Sequence, residues 1–415
     1  MFTTTYADPI MKEVILPGVR EYLNTATVVL KYAERETQAS PTGEFIITYN
    51  REMNNNAASG RPEATGTASD DSDLPAARPS RYNRSTVPSQ LLYTRARWSG
   101  KVIAATKSKD SLVNALVEET RRATVKSKSS VNRQLLGDGR DALAFYVSGA
   151  GASSGVVSGE FTNITGYQSA DFLDPGDTYV DLIDVSGGGY EQSLIIRRGA
   201  VGATGRAVTF FDTAGASTNL DADAAAGDYF VLHGTHGSST SARVRYQMMG
   251  LAGIIEDGNT PIEGANGLQG VPVGTYPEFV AYVSGDDSAP VDLAVKDMQS
   301  VLGELDIISG GDEGGAEGVK LIITSQPGYE TVAELFRTER IQVRDLELDG
   351  GFTGIAFNGR LPIVADKHCR RGAYYFWNPS STKLFVLQDW DWEDADGSMF
   401  YRLGGGDKDA LGATL

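Results

Sequence analysis

One glycine-flanked serine, three histidines and two carboxylate clusters are the residues of this chain whose types and spacing suggest chemistry. Gly151-Ala152-Ser153-Ser154-Gly155 fits the G-x-S-x-G nucleophile elbow, in which a sharp strand-to-helix turn exposes a serine hydroxyl for acyl transfer. That geometry needs a helix after the serine, and Val156-Val157-Ser158-Gly159 reads as strand and turn. With 48 glycines in the chain, the match is assigned to chance. Gly149 and Gly151 open a G-x-G-x-x-G pattern. Ser154 stands where the third glycine belongs, and no helix follows to offer its N-terminus to a phosphate. The phosphate-cradling G-x-x-x-x-G-K-[ST] pattern is absent.

Metal chemistry has little to draw on. His233 and His236 share a metal only if a helix or turn aligns them, and no carboxylate or cysteine sits beside them at ligand spacing; His368 stands alone. Asp389-Trp390-Asp391-Trp392-Glu393-Asp394 resembles a calcium loop superficially, but Asp394 occupies the position that needs glycine. Its alternation suits a strand with carboxylates on one side. Asp221-Ala222-Asp223 reads as a solvated turn. The single Cys369 has no partner for a disulfide, which fits a reducing compartment. No catalytic, cofactor-binding or metal-ligating residue is expected, and the function must lie elsewhere.

The elements around these residues are those of a large mixed protein. A chain of 415 residues exceeds a single hydrophobic core, and glycine well above its usual share of roughly 7% marks many short strands and turns. No stretch has the length and apolarity of a membrane span, and the N-terminus lacks a basic-then-apolar leader. Net charge is -17, which argues against general affinity for DNA phosphate. The charge is unevenly spread: residues 1–140 carry +5 and the remainder -22, a complementarity suited to head-to-tail association of identical copies.

Along the chain, residues 1–40 read as an arm, with Pro17 and Gly18 interrupting its apolar run. Strands are expected at Phe45 to Tyr49 and at Gln90 to Trp98, separated by a long polar loop. From Asp110 to Leu136 a 3.6-residue apolar period predicts a helix roughly 40 Å long, capped by Asp110 or Ser111 and ended by Gly137. Its other face holds Arg121, Arg122, Lys126, Lys128 and Arg133. Short strands follow at Leu143–Val147, Tyr179–Asp184, Ser193–Arg197, Ala207–Phe211 and Tyr229–His233. A helix at Pro290–Leu305, a buried-type strand at Lys320–Thr324 and a helix at Tyr329–Thr338 predict an α/β unit. The last part is β-rich: Phe352–Phe357, Leu361–Val364, Ala373–Trp377, Lys383–Gln388 and Ser398–Leu403. Hairpin turns are expected at Asn378–Ser381 and Asp394–Gly397.

The order of these pieces resembles the tailed-phage major capsid family, whose fold is shared with encapsulins and the herpesvirus capsid floor. Two phrases add to the likeness: Val131-Asn132-Arg133-Gln134-Leu135-Leu136-Gly137-Asp138-Gly139, and Gly359-Arg360-Leu361-Pro362-Ile363-Val364-Ala365-Asp366. The resemblance implies an α+β capsid fold. Its parts are an N-terminal arm (1–40), an extended β-hairpin loop (41–105), and a spine helix with the first part of a peripheral domain (106–154). A β-rich insertion domain (155–245), an axial α/β domain (246–345) and return strands of the peripheral and axial domains (346–415) complete it. It further implies a virion protein, not an enzyme, assembled in the host cytoplasm as pentamers and hexamers into an icosahedral shell around double-stranded DNA. A separate scaffolding protein and a portal are the implied partners, and a cement protein is left open. The alternative is an encapsulin-like compartment.

In that family the extended loop lies across a neighbouring subunit, which makes its arginines the expected interface. Arg78, Arg81 and Arg84, with Arg95 and Arg97, are positioned to pair with carboxylates of an adjacent acidic domain, since the guanidinium fork suits bidentate pairing. Some members weld their shells through a loop lysine, but no lysine occurs between Lys31 and Lys101. A non-covalent lattice is predicted: on a denaturing gel, boiled particles run as one subunit-sized band, and a ladder of linked subunits would contradict this.

Overall fold

The computed structural model describes residues 27–37, 44–51, 81–90, 92–99, 109–139, 142–149, 154–158, 172–173, 176–184, 190–201, 206–218, 220, 224–235, 248–255, 271, 280–285, 292–309, 318–338, 345–348, 352–388, 391, 401–402 and 410–414. Thr27 opens α1 (Val28–Tyr32) by accepting the Leu30 N–H at 3.1 Å. β1 (Glu34–Glu36) follows, then β2 (Glu44–Arg51), β3 (Arg81–Pro88) and β4 (Arg95–Ser99). β2 and β3 pair antiparallel over their full length, from Glu44 opposite Pro88 to Arg51 opposite Arg81. The partner of β2 is therefore not the 90–98 segment expected. β4 instead joins the chain's last strands, as described below.

The long helix α2 runs from Lys109 to Leu136, one residue ahead of its expected start. Thr120, Thr124, Ser127, Val131 and Leu135 are buried along one side of it.

β5 (Ala144–Gly149), β6 (Ser154–Ser158), β7 (Asp177–Ile183), β8 (Tyr190–Val201), β9 (Arg206–Asp212) and β10 (Tyr229–Leu232) close an antiparallel barrel. Strand alternation explains its filling. Val180 and Leu182 point inward with Leu194, Ile196, Val208, Phe210 and Phe230, while Asp177 and Tyr179 face outward and are exposed. The β-rich insertion thus begins before the expected boundary at 155. β5 must sit between β10 and β6, because leaving it out would expose two sheet edges.

α3 (Leu251–Ile254) precedes α4 (Val295–Ser309), β11 (Leu321–Thr324) and α5 (Gln326–Thr338). α4 starts later than expected: the Asp297 carboxylate reaches back to the Ala294 N–H at 3.2 Å and fixes the first turn there. α5 starts earlier, because Pro327 is accommodated in the first turn and the Ser325 hydroxyl accepts the Gly328 N–H at 3.4 Å.

β12 (Asp345–Leu348), β13 (Phe352–Phe357), β14 (Leu361–Ala365) and β15 (Tyr374–Trp377) then build one sheet with β11, in the order β12-β13-β14-β11-β15. β12 lies outside the expected strands, and the boundary expected at 345 divides this single sheet, with β11 before it and the other four strands from it onward. Asn358 and Gly359, both with positive φ, form the tight turn between β13 and β14.

The five-stranded sheet has helices on both faces. On one side Leu321, Ile323, Val364, Tyr375 and Trp377 pack with Val131, Leu135 and Leu136 of α2, Val28 and Val29 of α1, and Leu251 of α3. On the other, Ile322, Ile355, Phe357 and Ile363 meet Met298 and Leu302 of α4 and Val332 and Phe336 of α5. Each fully buried side chain of this size contributes about 1.5–3 kcal/mol.

The expected hairpin at Asn378–Ser381 does not form. Those residues make a 3-10 turn in which the Asn378 side chain accepts the Ser380 N–H at 3.1 Å. β16 (Lys383–Phe385) leaves the sheet to pair parallel with β1, Glu34 opposite Lys383, with Lys383 Nζ 3.1 Å from Glu36. β17 (Tyr401–Arg402) and β18 (Ala410–Thr414) form a three-stranded sheet with β4. The turn expected at Asp394–Gly397 lies outside the described residues.

At Gly250 the backbone runs close against α2, since an added Cβ would overlap the carbonyl oxygens of Gln134 and Leu135 at the end of that helix. Gly250→Ala is predicted to cost about 2–4 kcal/mol in denaturant unfolding. Gly303→Ala, in α4 with open space around the site, should be neutral or stabilising by up to about 1 kcal/mol. Equal effects would show that the Gly250 contact is not a constraint.

Candidate functional site

The arginines expected at an interface fall on two different sheets. Arg81 and Arg84 lie on β3, opposite Arg51 and Thr48 in the hairpin register. Arg95 and Arg97 lie on β4, opposite Thr414 and Gly412. The structure therefore separates Arg95 and Arg97 from the extended hairpin with which they were grouped. Arg78 lies outside the described residues.

Where the serine and glycine patterns call for a helix, the described residues form a strand. Ser154 and Gly155 begin β6 and pair with Thr209 and Val208 of β9, so strand occupies the place of the helix that an elbow or a phosphate cradle requires. Gly151 and Ser153 lie outside the described residues, as do His236, Asp221, Asp223 and all of Asp389–Asp394 except Asp391. His233 Nδ1 is 2.8 Å from Asp181, whose buried carboxylate also accepts the Ser193 hydroxyl and the Gly234 N–H. That arrangement ties down the turn after β10. Among the described residues no group of three potential ligands clusters for a metal ion.

A buried polar cluster joins the end of α2 to the turn after β14. The Asn132 side-chain nitrogen lies 2.8 and 2.9 Å from the two Asp366 oxygens and 2.9 Å from His368 Nδ1. His368 Nε2 is 3.0 Å from the Ser129 hydroxyl, and the His368 backbone N–H donates to Asp366 at 2.9 Å. Phe172, from the barrel segment, packs against the imidazole with ring centres 6.0 Å apart. Close by, Arg370 and Asp138 form an ion pair at 2.6 Å. A cavity of about 30 Å³, room for one or two waters, lies between Gln134, Asp138, Phe145, Phe172, His368 and Arg370.

Serine, histidine and aspartate in contact invite comparison with a catalytic triad, and proton placement decides the matter. Turning the Asn132 amide over would set its oxygen against both carboxylate oxygens, so the nitrogen must face them. His368 Nδ1 then accepts a hydrogen bond from Asn132, and the ring proton resides on Nε2, donating to Ser129. A base for Ser129 needs the opposite tautomer. Asp366 Oδ1 is 3.7 Å from Nδ1, and the Asn132 nitrogen, closer to both, stands as the donor between them. The cluster is a clamp between two elements.

Neither the clamp nor its partners were anticipated from sequence, although Asn132 and Asp366 belong to the two phrases singled out there. A separation of 234 residues hides the pairing. The chain matches no known family model and no curated protein.

Protonation tests the clamp. Burial pushes His368 below its ordinary value of 6.5, outweighing the pull of Asp366, with Lys367 and Arg133 adding to the depression. Burial alone would raise Asp366, but its contacts with His368 and the Asn132 amide outweigh it and hold the carboxyl below 3.8. Both depressions act in one direction. The unfolded chain takes up protons that the folded chain refuses, so stability is complete above pH 6.5 and falls below it, with a second loss below 3.8. Urea midpoints are predicted to drop between pH 7 and 5 with a slope of up to about 1.4 kcal/mol per pH unit. His368→Gln should remove most of that slope; a variant retaining it would show that another group is responsible.

Proposed function

We propose that this chain is the major subunit of a virus shell of the tailed-phage type. On this reading it assembles as pentamers and hexamers around double-stranded DNA with a separate scaffolding protein and a portal. One observation carries the reading. The β2–β3 hairpin pairs eight residues on each side, and among the described residues it gains no third strand. A lone two-stranded hairpin is marginal in water. A covering surface on a sibling copy supplies what the subunit lacks, and the charge division of the chain, +5 against -22, favours such contact. The 28-residue α2 falls where the expected order of parts has its long helix, after the hairpin and before the β-rich insertion.

The hairpin arginines test the proposal. Each exposed ion pair contributes only about 0.2–1 kcal/mol, but the contact is repeated around every subunit. Expressed with and without a scaffold, the wild-type chain should form closed particles visible by electron microscopy. Arg78→Glu, Arg81→Glu and Arg84→Glu together should abolish them while the circular dichroism spectrum of the subunit stays unchanged. Normal particles from the triple variant would refute the role of these arginines, and a wild-type chain that never forms particles would refute the shell. Protein cargo in place of nucleic acid in native particles would point to a cellular compartment.

A further inference from the structure

The chain is acidic overall, yet one of its surfaces is basic. After Glu118 and Glu119, α2 carries only positive charges, Arg121, Arg122, Lys126, Lys128 and Arg133, as far as its end at Leu136. Arg121, Arg122, Val125 and Lys126 are exposed on the side facing away from the core, opposite buried Thr120, Thr124, Ser127 and Val131. The clamp adds to this face. Ser129–His368 and Asn132–Asp366 seat the turn after β14 against the C-terminal end of α2, and that turn brings Lys367, Arg370 and Arg371. Lys367 and Arg133 lie close enough to oppose protonation of His368.

We propose that this surface, α2 from Arg121 to Arg133 together with the Lys367–Arg371 turn, binds the phosphate backbone of duplex nucleic acid without reading its sequence. The inference rests on the shell reading and deepens it by naming the face that meets the enclosed genome. At 1.5 Å per residue the helix cations span roughly 18 Å, about five phosphates along one strand. Guanidinium forks match phosphate oxygens bidentately. An acidic protein surface is the other polyanion that fits, but protein interfaces are built on an apolar and aromatic centre. Val125 is the one large apolar side chain exposed on this face among the described residues.

The full-length subunit, titrated before assembly with two fluorescent 30-base-pair duplexes of unrelated sequence, should bind both equally. The slope of log affinity against log salt should be about -4 to -5 between 50 and 200 mM. Arg121→Glu, Arg122→Glu and Lys126→Glu together should lower affinity at least 30-fold and flatten the slope by about three. The corresponding three glutamines, a milder change, should lower it about 10-fold. Lys296→Glu, Lys320→Glu and Arg337→Glu make the same net-charge change on exposed sites at α4, before β11 and on α5, and should have little effect. Equal losses from the two glutamate triples would overturn the proposal, because net charge alone would then explain binding. Polyglutamate binding as tightly as DNA would overturn it in favour of an acidic protein. The two readings fail separately: closed particles without DNA affinity sink only this inference, whereas DNA affinity on this face without particles sinks the shell.

Discussion

The buried bond between the Asn132 amide and the Asp366 carboxylate ties the long helix to the central sheet. It fixes the last turns of α2 against the β14 end of that sheet, where helix and strand side chains share one apolar cluster. The apolar side chains Val131, Leu135 and Leu136 meet Leu321, Ile323 and Val364 in the register this bond allows. The barrel leaves the same end of α2 through Gly137 and Asp138 and returns to it through Phe172, which leans on the His368 ring. A buried hydrogen bond to a charged group is worth about 1.5–3 kcal/mol, less than the surrounding apolar burial. Its contribution is selectivity of position more than strength: apolar surfaces tolerate sliding by a turn, and a carboxylate that must find one amide does not.

That selectivity has costs. Among the described residues the buried Asn132 oxygen has no partner, and Gly250 approaches the α2 carbonyls so closely that no side chain fits. A buried unsatisfied oxygen costs about 1–3 kcal/mol. The cluster survives because both Asp366 oxygens face donors, the Asn132 amide and the His368 backbone N–H. The barrel solves its own version of the same difficulty differently. Closure leaves no edge among its six strands, and its interior needs no polar tie because Phe210, Phe230, Leu194 and Val180 fill it.

What could be seen in the sequence was local. The long helix announced itself by the spacing of Leu116, Thr120, Thr124, Val131 and Leu135, and the barrel strands by short apolar runs between glycine turns. Helix starts shifted where a side chain intervened, as Asp297 and Ser325 do. Pairing was not legible. Gln90–Trp98 looked like the partner of Phe45–Tyr49 because both were apolar strands flanking one loop. The chain instead doubled back sooner, at Arg81, and gave residues 95–99 to a strand more than 300 residues away. The clamp was hidden for the same reason: Asn132, Asp366 and His368 are ordinary residues in ordinary phrases until the fold brings them within 3 Å of one another. Periodicity reports which side of an element is apolar, and it carries no information about which distant element covers that side.

Two of the pairings set an order of events. β1 waits for β16, and β4 waits for β18, so strands from the first hundred residues are completed only by strands from the last forty. During synthesis the barrel, whose six strands lie within ninety consecutive residues, can close on the ribosome while those earlier strands still have no partner. Contacts of such long sequence separation are slow to form. The emerging polypeptide thus spends most of its translation with open strand edges near its start, the stage at which a chaperone has most to protect.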